Sequence, residues 1–233
     1  MEYKKIKKGR FKERLNRFLA TAEIDGKLEY IHVRNTGRLK ELLLPGVEIW
    51  MEDCGNREGR KTGYSLVSVK KGHTFVNIDS QIPNALVFEG LLSEKIKLPG
   101  METPLKIIKK EKKLGRSRID IYAEDEKGQK AFAEVKGVTL DKSGIAMFPD
   151  APTERGKKHV LELAEAVSGG YLAYIIFIIQ MKGIEKFMPN DDMHASFGKS
   201  LREAEKRGVK IMAHDCLISA GTIDLSEPVK IVL

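Results

Sequence analysis

Ser117-Arg118-Ile119-Asp120-Ile121-Tyr122-Ala123 and, a short turn later, Lys130-Ala131-Phe132-Ala133-Glu134-Val135-Lys136-Gly137-Val138 decide how this chain is read. Both runs are apolar and rich in β-branched or aromatic residues, so each predicts a strand. Both are also interrupted by charge. Strand side chains alternate faces, so Glu134 and Lys136, two apart, point the same way. Lys127-Gly128 marks a turn between the runs, and a hairpin there would bring Asp120 alongside Glu134 and Lys136. A carboxylate and an ammonium on an otherwise apolar strand are costly unless something occupies them.

The chemistry that wants this trio is metal-dependent phosphodiester hydrolysis. Asp120 and Glu134 offer hard oxygen ligands to Mg²⁺ or Mn²⁺, and Lys136 can orient the attacking water or meet charge developing on the phosphate. An acid on one strand followed by E-x-K on the next resembles the restriction-endonuclease-like superfamily, written PD-(D/E)xK. Pro149-Asp150 spells the motif's first half but follows E-x-K in the chain, so Asp150 is read as a cap or loop residue. Glu89, on a helix predicted before the sheet, is a candidate further metal ligand, or else an ordinary surface residue.

Working outward, Asn84 is placed to cap a helix carrying Leu86, Val87, Leu91 and Leu92. Leu105–Lys109 predicts a strand ahead of the two quoted runs. A helix is expected from Thr153 to Val167, closed by Ser168-Gly169-Gly170. The apolar run from Leu172 reads as a buried central strand. A further helix ends at Gly208 and leads into strand Val209–Ala213. This order implies a mixed sheet flanked by helices over residues 83–233. Upstream, Tyr30–Val33, Val47–Trp50, Tyr64–Val69 and Thr74–Val76 are short strands separated by turn signals, which suits a small β-barrel over residues 1–82, such as the oligonucleotide/oligosaccharide-binding (OB) fold, with a generic β-sandwich as the alternative.

The 233 residues carry a formal net charge of +8. Residues 1–17 hold eight Lys or Arg against two Glu, and residues 106–118 hold seven against one, each a net of +6. Two dense basic segments suit a nucleic-acid partner. Arg116 and Arg118 belong to the second segment. Arg155, Lys158 and His159 share a stripe of the Thr153 helix and are candidate phosphate contacts, or equally a solvated helix face. The apolar run around Tyr171–Gln180 is too short for a membrane span, and the N-terminus lacks the apolar stretch of a signal peptide. Cys54 and Cys216 are far apart, so neither a disulfide framework nor a zinc site is suggested. The expectation is a cytoplasmic protein. No Walker A or dinucleotide-binding glycine pattern is present.

The chain resembles the sugar fermentation stimulation protein A family. The likeness rests on Arg14-Leu-Asn-Arg17-Phe-Leu, on His32-Val-Arg34-Asn35-Thr-Gly37 with Pro45-Gly46, and on the Asp120 and Glu134-Val-Lys136 strands. Phe148-Pro-Asp150 through Thr153-Glu-Arg155-Gly-Lys-Lys158-His159 completes it. The resemblance implies an OB-type barrel, a nuclease-like second domain and DNA binding. It also brings Arg14, Arg17, Arg34 and Asn35 into the candidate nucleic-acid surface. Family members more often show Cys-Pro before Asn-Thr-Gly, and Asn after the E-x-K lysine, where this chain has Val33-Arg34 and Gly137. His32, Asn35 and Thr36 form a polar cluster with two readings, a loop that binds phosphate or single strand and a turn that satisfies its own backbone. Two functions follow: a Mg²⁺- or Mn²⁺-dependent nuclease, or a DNA-binding regulator of sugar metabolism that keeps a nuclease fold without its activity.

Overall fold

A computed structural model of the chain describes residues 1–55 and 61–233. The barrel is built from β1 (Ile6–Arg14), β2 (Leu19–Ile24), β3 (Lys27–Val33), β4 (Glu48–Asp53), β5 (Tyr64–Lys71) and β6 (Thr74–Asn77). The strands run in the order β3-β2-β1-β4-β5-β6, and a parallel β3–β5 pairing from Ile31↔Tyr64 to Val33↔Leu66 closes the sheet on itself. Closure removes the exposed sheet edges that invite aggregation. Inward positions alternate along the strands: Ala20, Ala22 and Ile24 on β2 lie beside Ile31 and Val33 on neighbouring β3, in one buried core with Phe11, Met51 and Leu66.

The second half opens with α1 (Ile82–Leu92), then β7 (Leu105–Leu114), β8 (Ser117–Asp125) and β9 (Lys130–Val138). The short strands β10 (Asp141–Lys142) and β11 (Ile145–Phe148) precede α2 (Glu154–Ser168). After it come β12 (Leu172–Ile179), β13 (Lys186–Pro189), α3 (Asp191–Lys206), β14 (Lys210–Ile218), β15 (Ile223–Pro228) and β16 (Lys230–Ile231). The main sheet has the order β15-β14-β12-β9-β8-β7. Strands β7, β8 and β9 form an antiparallel meander, whereas β9, β12 and β14 are parallel, with α2 and α3 in the crossovers. Strand β12 lies between two parallel neighbours and has helices over it, which is why Ala-Tyr-Ile-Ile-Phe-Ile-Ile is apolar throughout. Helix α1 covers one face of this sheet, through Leu86, Val87 and Leu91; α2 and α3 cover the other, through Val160, Leu163, Phe197 and Leu201.

Several expectations change. The basic segment 1–17, given no strand from sequence, is taken mostly into the barrel wall as β1. Met1 and Tyr3 cross to the other half, where Tyr3 N–H donates to Gly221 O (2.9 Å) and Ile223 N–H to Met1 O (3.0 Å). Asn84 does not cap α1. It lies inside the first turn, after Pro83, and its side chain is used elsewhere. Thr153 does cap α2, its Oγ1 accepting from Gly156 N–H at 3.1 Å.

The two halves share a buried polar seam. Gln180 Nε2, at the end of β12, donates to Asn77 Oδ1 (2.9 Å) and Asp79 O (3.1 Å). A Cβ on Gly137 would sit 2.6 Å from Gln180 Oε1, so the glycine after the E-x-K lysine makes room for that seam. Among the described residues no helix is long and apolar enough to cross a membrane.

Candidate active site

The β8–β9 ladder runs from Glu124↔Lys130 to Ile121↔Ala133, so it stops one residue short of the acids. Asp120 therefore projects where the strands part. Its Oδ2 crosses the gap to accept Val135 N–H at 2.9 Å, and its Oδ1 accepts from Asn84 Nδ2 at 2.8 Å. The strand-parting thus turns a main-chain N–H that would otherwise pair within the sheet into an anchor for the carboxylate.

Glu134 is 3% exposed. Its Oε1 accepts from Lys136 Nζ at 2.6 Å and is also bonded to His159 Nδ1. Its Oε2 is buried and has no hydrogen-bond partner among the described residues. Burial pushes the Glu134 carboxyl up, but the bonds and positive charge from His159 and Lys136 outweigh it, and the group sits below its ordinary value. Asp120 goes the other way: burial first, and the Glu134 charge second, raise it despite the bonds from Val135 and Asn84. Two neighbouring carboxyls with separated titrations and one bare buried oxygen form an electron-rich recess.

The residues present fit a hard divalent cation. Asp120 and Glu134 would hold it through carboxylate oxygens, and the bare Oε2 of Glu134 is the lone-pair donor that burial leaves unsatisfied. Among the described residues no group of three or more His, Cys, Asp and Glu side chains is gathered about one point. Mg²⁺ matches that economy, since it keeps several waters and takes one or two carboxylates.

The remaining candidates separate by location. Glu89 is not at the site. It lies on the exposed side of α1, lining a different cavity with Met1 and Asp224, and five residues along a helix turn it well away from Asn84. Asn84 takes the α1 place beside Asp120; a polar residue in the first turn of an apolar helix was the available signal. His159 is not on the open stripe of α2 but buried against Glu134, where it orients the carboxylate. Arg155 and Lys158 are exposed, and together with Arg116, Arg118 and His159 they line one open cleft of ≈ 440 Å³. Two clusters about forty residues apart in the chain thereby meet beside His159, which reaches Glu134.

On the barrel, Arg14, Arg34 and Asn35 are spent internally, which corrects the surface the resemblance implied. Arg14 donates to the carbonyls of Asn35 (2.6 Å), Gly37 (2.6 Å), Arg17 (2.7 Å) and Arg38 (2.8 Å), pinning two loops together. Arg34 pairs with Glu52 (2.9 Å) and Asp79 (3.1 Å). Asn35 Oδ1 accepts Gly37 N–H at 2.7 Å, and its amide donates to Ile78 O at 2.8 Å, so the second reading of that cluster describes it: a self-satisfied turn. Arg17 stays exposed, beside Arg38 and Lys40, which sequence reasoning did not single out.

A closed OB-type barrel joined to a mixed sheet with two acids and a lysine at its parted strands defines a nuclease-fold protein with an attached barrel. The chain belongs to the sugar fermentation stimulation protein family. Residues 13–78 match the family's N-terminal OB domain, and residues 81–222 its RE domain. A sugar fermentation stimulation protein homolog of Desulfitobacterium hafniense is 50% identical, with 100% of this chain and 99% of the relative covered. One from Ruminiclostridium cellulolyticum is 47% identical, with both chains covered in full. Among solved structures, Pyrococcus furiosus SfsA in complex with Ca²⁺ superposes with a TM-score of 0.88 at 30% identity, covering 100% of this chain and 98% of that one.

Proposed function

We propose that the chain is a cytoplasmic, divalent-metal-dependent nuclease acting on DNA, with Asp120 and Glu134 as metal ligands and Lys136 at the attacked phosphate. The carrying observation is the carboxylate of Glu134: buried, held by Lys136 and His159 on one oxygen, and bare on the other. A bound Mg²⁺ or Mn²⁺ supplies polarisation of the phosphate and a more acidic water. The chain's own residues do the rest. Val135 N–H and Asn84 fix Asp120, and His159 fixes Glu134. Lys136 is positioned to move from its ion pair to a water or a phosphate oxygen, while Arg116, Arg118, Arg155 and Lys158 grip the flanking backbone. The Pyrococcus furiosus relative was solved in complex with Ca²⁺, which supports divalent-cation binding as a property worth testing here.

The closed Lys136–Glu134 pair is also what a metal-free DNA-binding regulator would retain. One experiment separates the two: cleavage and binding of labelled DNA with Mg²⁺, Mn²⁺ or EDTA, using the natural protein, Glu134→Gln and Lys136→Ala. The nuclease reading expects metal-dependent cleavage that falls by roughly 10³-fold in either variant while binding is kept. Binding in EDTA that both variants match, with no cleavage under any metal, leaves the regulator.

A further inference from the structure

The barrel carries an exposed aromatic surface that the trio does not use. Along β3, Ile31 and Val33 point into the core, so Leu28, Tyr30 and His32 point outward. Phe18, between β1 and β2, lays its ring on that of His32, with centroids 6.4 Å apart and planes at 21°. Tyr30 and His32 are two residues apart on one strand face, a spacing of about 7 Å, so Phe18, His32 and Tyr30 form a row. Phe18 is 51% and Tyr30 58% exposed, flanked by Leu15 and Leu28 at 44% and 67%. Aromatic rings left this open forgo substantial burial energy.

The end of the row at Phe18 is basic. Arg17, Arg38 and Lys40 surround an open cleft of ≈ 550 Å³ that reaches Ala151, and none of the three has a side-chain ion pair among the described residues. Ala151 lies two residues before the Thr153 cap of α2, and that helix carries Arg155 and Lys158 to the cleft lined by His159, the partner of Glu134. Two basic clefts therefore stand on either side of residues 151–154, with the carboxylates of Asp150 and Glu154 on the same stretch of chain.

We propose that this surface binds single-stranded DNA, with bases stacked on Phe18 and Tyr30 and phosphates on Arg17, Arg38 and Lys40, and leads the strand along α2 to the acids. The proposal deepens the nuclease reading by naming the strand state of its substrate. Only unpaired bases offer free π-faces to a ring, whereas a duplex buries them in its own stack. The cationic rim matches a phosphate backbone and disfavours a purely apolar protein partner. The leucines beside the rings give a ribose 2′-hydroxyl no hydrogen-bond partner, which favours deoxyribose. The face of strands two and three, with the loop before them, is also where OB barrels take oligonucleotides.

The test is fluorescence anisotropy of labelled oligo(dT), oligo(rU) and a DNA duplex on the full-length protein in EDTA. Variants are Phe18→Ala, Tyr30→Ala and Phe18→Tyr, with Leu217→Ala as a control because it is equally exposed but lies on β14. Each aromatic truncation should weaken oligo(dT) binding about 5- to 150-fold, as loss of a stacked base does. Phe18→Tyr and Leu217→Ala should bind as the natural protein does, and duplex binding should change little. Unchanged oligo(dT) affinity in both truncations overturns the proposal, as does an equal loss for duplex, or oligo(rU) bound as tightly as oligo(dT). Concentration-dependent self-association abolished by Phe18→Ala would overturn it too, and assign the surface to a second copy. Because no hydrolysis is needed in EDTA, a protein that binds through Phe18 but never cleaves keeps this inference and loses the nuclease.

Discussion

Residues 1–17 and 106–118 carry the same net charge of +6, yet the fold partners the β1 cations and leaves most of the second segment without ion pairs, with Arg17 and Arg118 as the exceptions. In the first segment, Lys7 pairs with Asp25, Lys8 with Glu48 and Lys12 with Glu23. Arg10 donates to Gly46 O and Arg14 holds four neighbouring carbonyls and that of Asn16. In the second segment, β7 is the edge of the main sheet, and Lys109, Lys113 and Arg116 stand exposed with no ion pair among the described residues. Charge along a sequence counts cations, but only the pairing geometry separates those spent on the fold from those left for a partner. A row of lysines on an edge strand also discourages edge-to-edge pairing, so β7 is solvated whether or not nucleic acid is bound.

The sharpest way to break this contrast is Arg14→Ala against Arg155→Ala. Removing the Arg14 guanidinium leaves several carbonyls of the Asn35–Arg38 and Asn16–Arg17 loops unpaired, and should cost about 3 kcal/mol in urea or thermal unfolding. Arg155 touches only solvent and the cleft, so its loss should stay within about 0.5 kcal/mol while DNA affinity falls. Equal stabilities for the two variants would show that Arg14 is not structural.

Next in size is a pair of triple neutralisations. Lys109, Lys113 and Arg116 changed to Gln should weaken DNA binding at least about 10-fold in dilute buffer. They should also flatten the slope of log affinity against log salt by about two to three units. Lys7, Lys8 and Lys12 changed to Gln should leave that slope nearly unchanged, because their charges are already neutralised by Asp25, Glu48 and Glu23. The same slope from both triples would mean that the β1 pairs open for DNA.

The trio was legible in the sequence because strand alternation alone puts Glu134 and Lys136 on one face, and an acid in an apolar strand is conspicuous. Element order was legible for the same reason: helical and strand periods differ. What the sequence could not show was pairing. Strand β1 was hidden because Lys8, Arg10 and Lys12 crowd it with charge, and β2 because its inward residues Ala20 and Ala22 are small. Asn84 rather than Glu89 lies beside Asp120 because a helix wheel fixes relative faces but not which face meets the sheet. His159 was misplaced by the same ambiguity, since a helix that covers an active site buries its polar residue there along with its apolar ones.

The smallest effect concerns Asp120, a half-buried carboxylate held by Val135 N–H and Asn84. Burial and the Glu134 charge raise its folded titration above the unfolded value. The folded chain therefore binds the Asp120 proton more tightly than the unfolded chain does. This contribution to stability is fully present at pH below the unfolded value and is lost as pH rises through the raised folded one. In EDTA, ionising Asp120 therefore costs stability, and Asp120→Asn should melt about 1–3 °C higher than the natural protein at neutral pH while losing cleavage. The gap should close as pH is lowered through the carboxylate range, where the natural Asp120 is protonated too. Saturating Mg²⁺ should reverse the order, since only the natural protein gains from the ion. A variant that melts lower than the natural protein in EDTA at neutral pH would mean that Val135 and Asn84 repay the buried charge in full, and that the recess is as self-satisfied as β1.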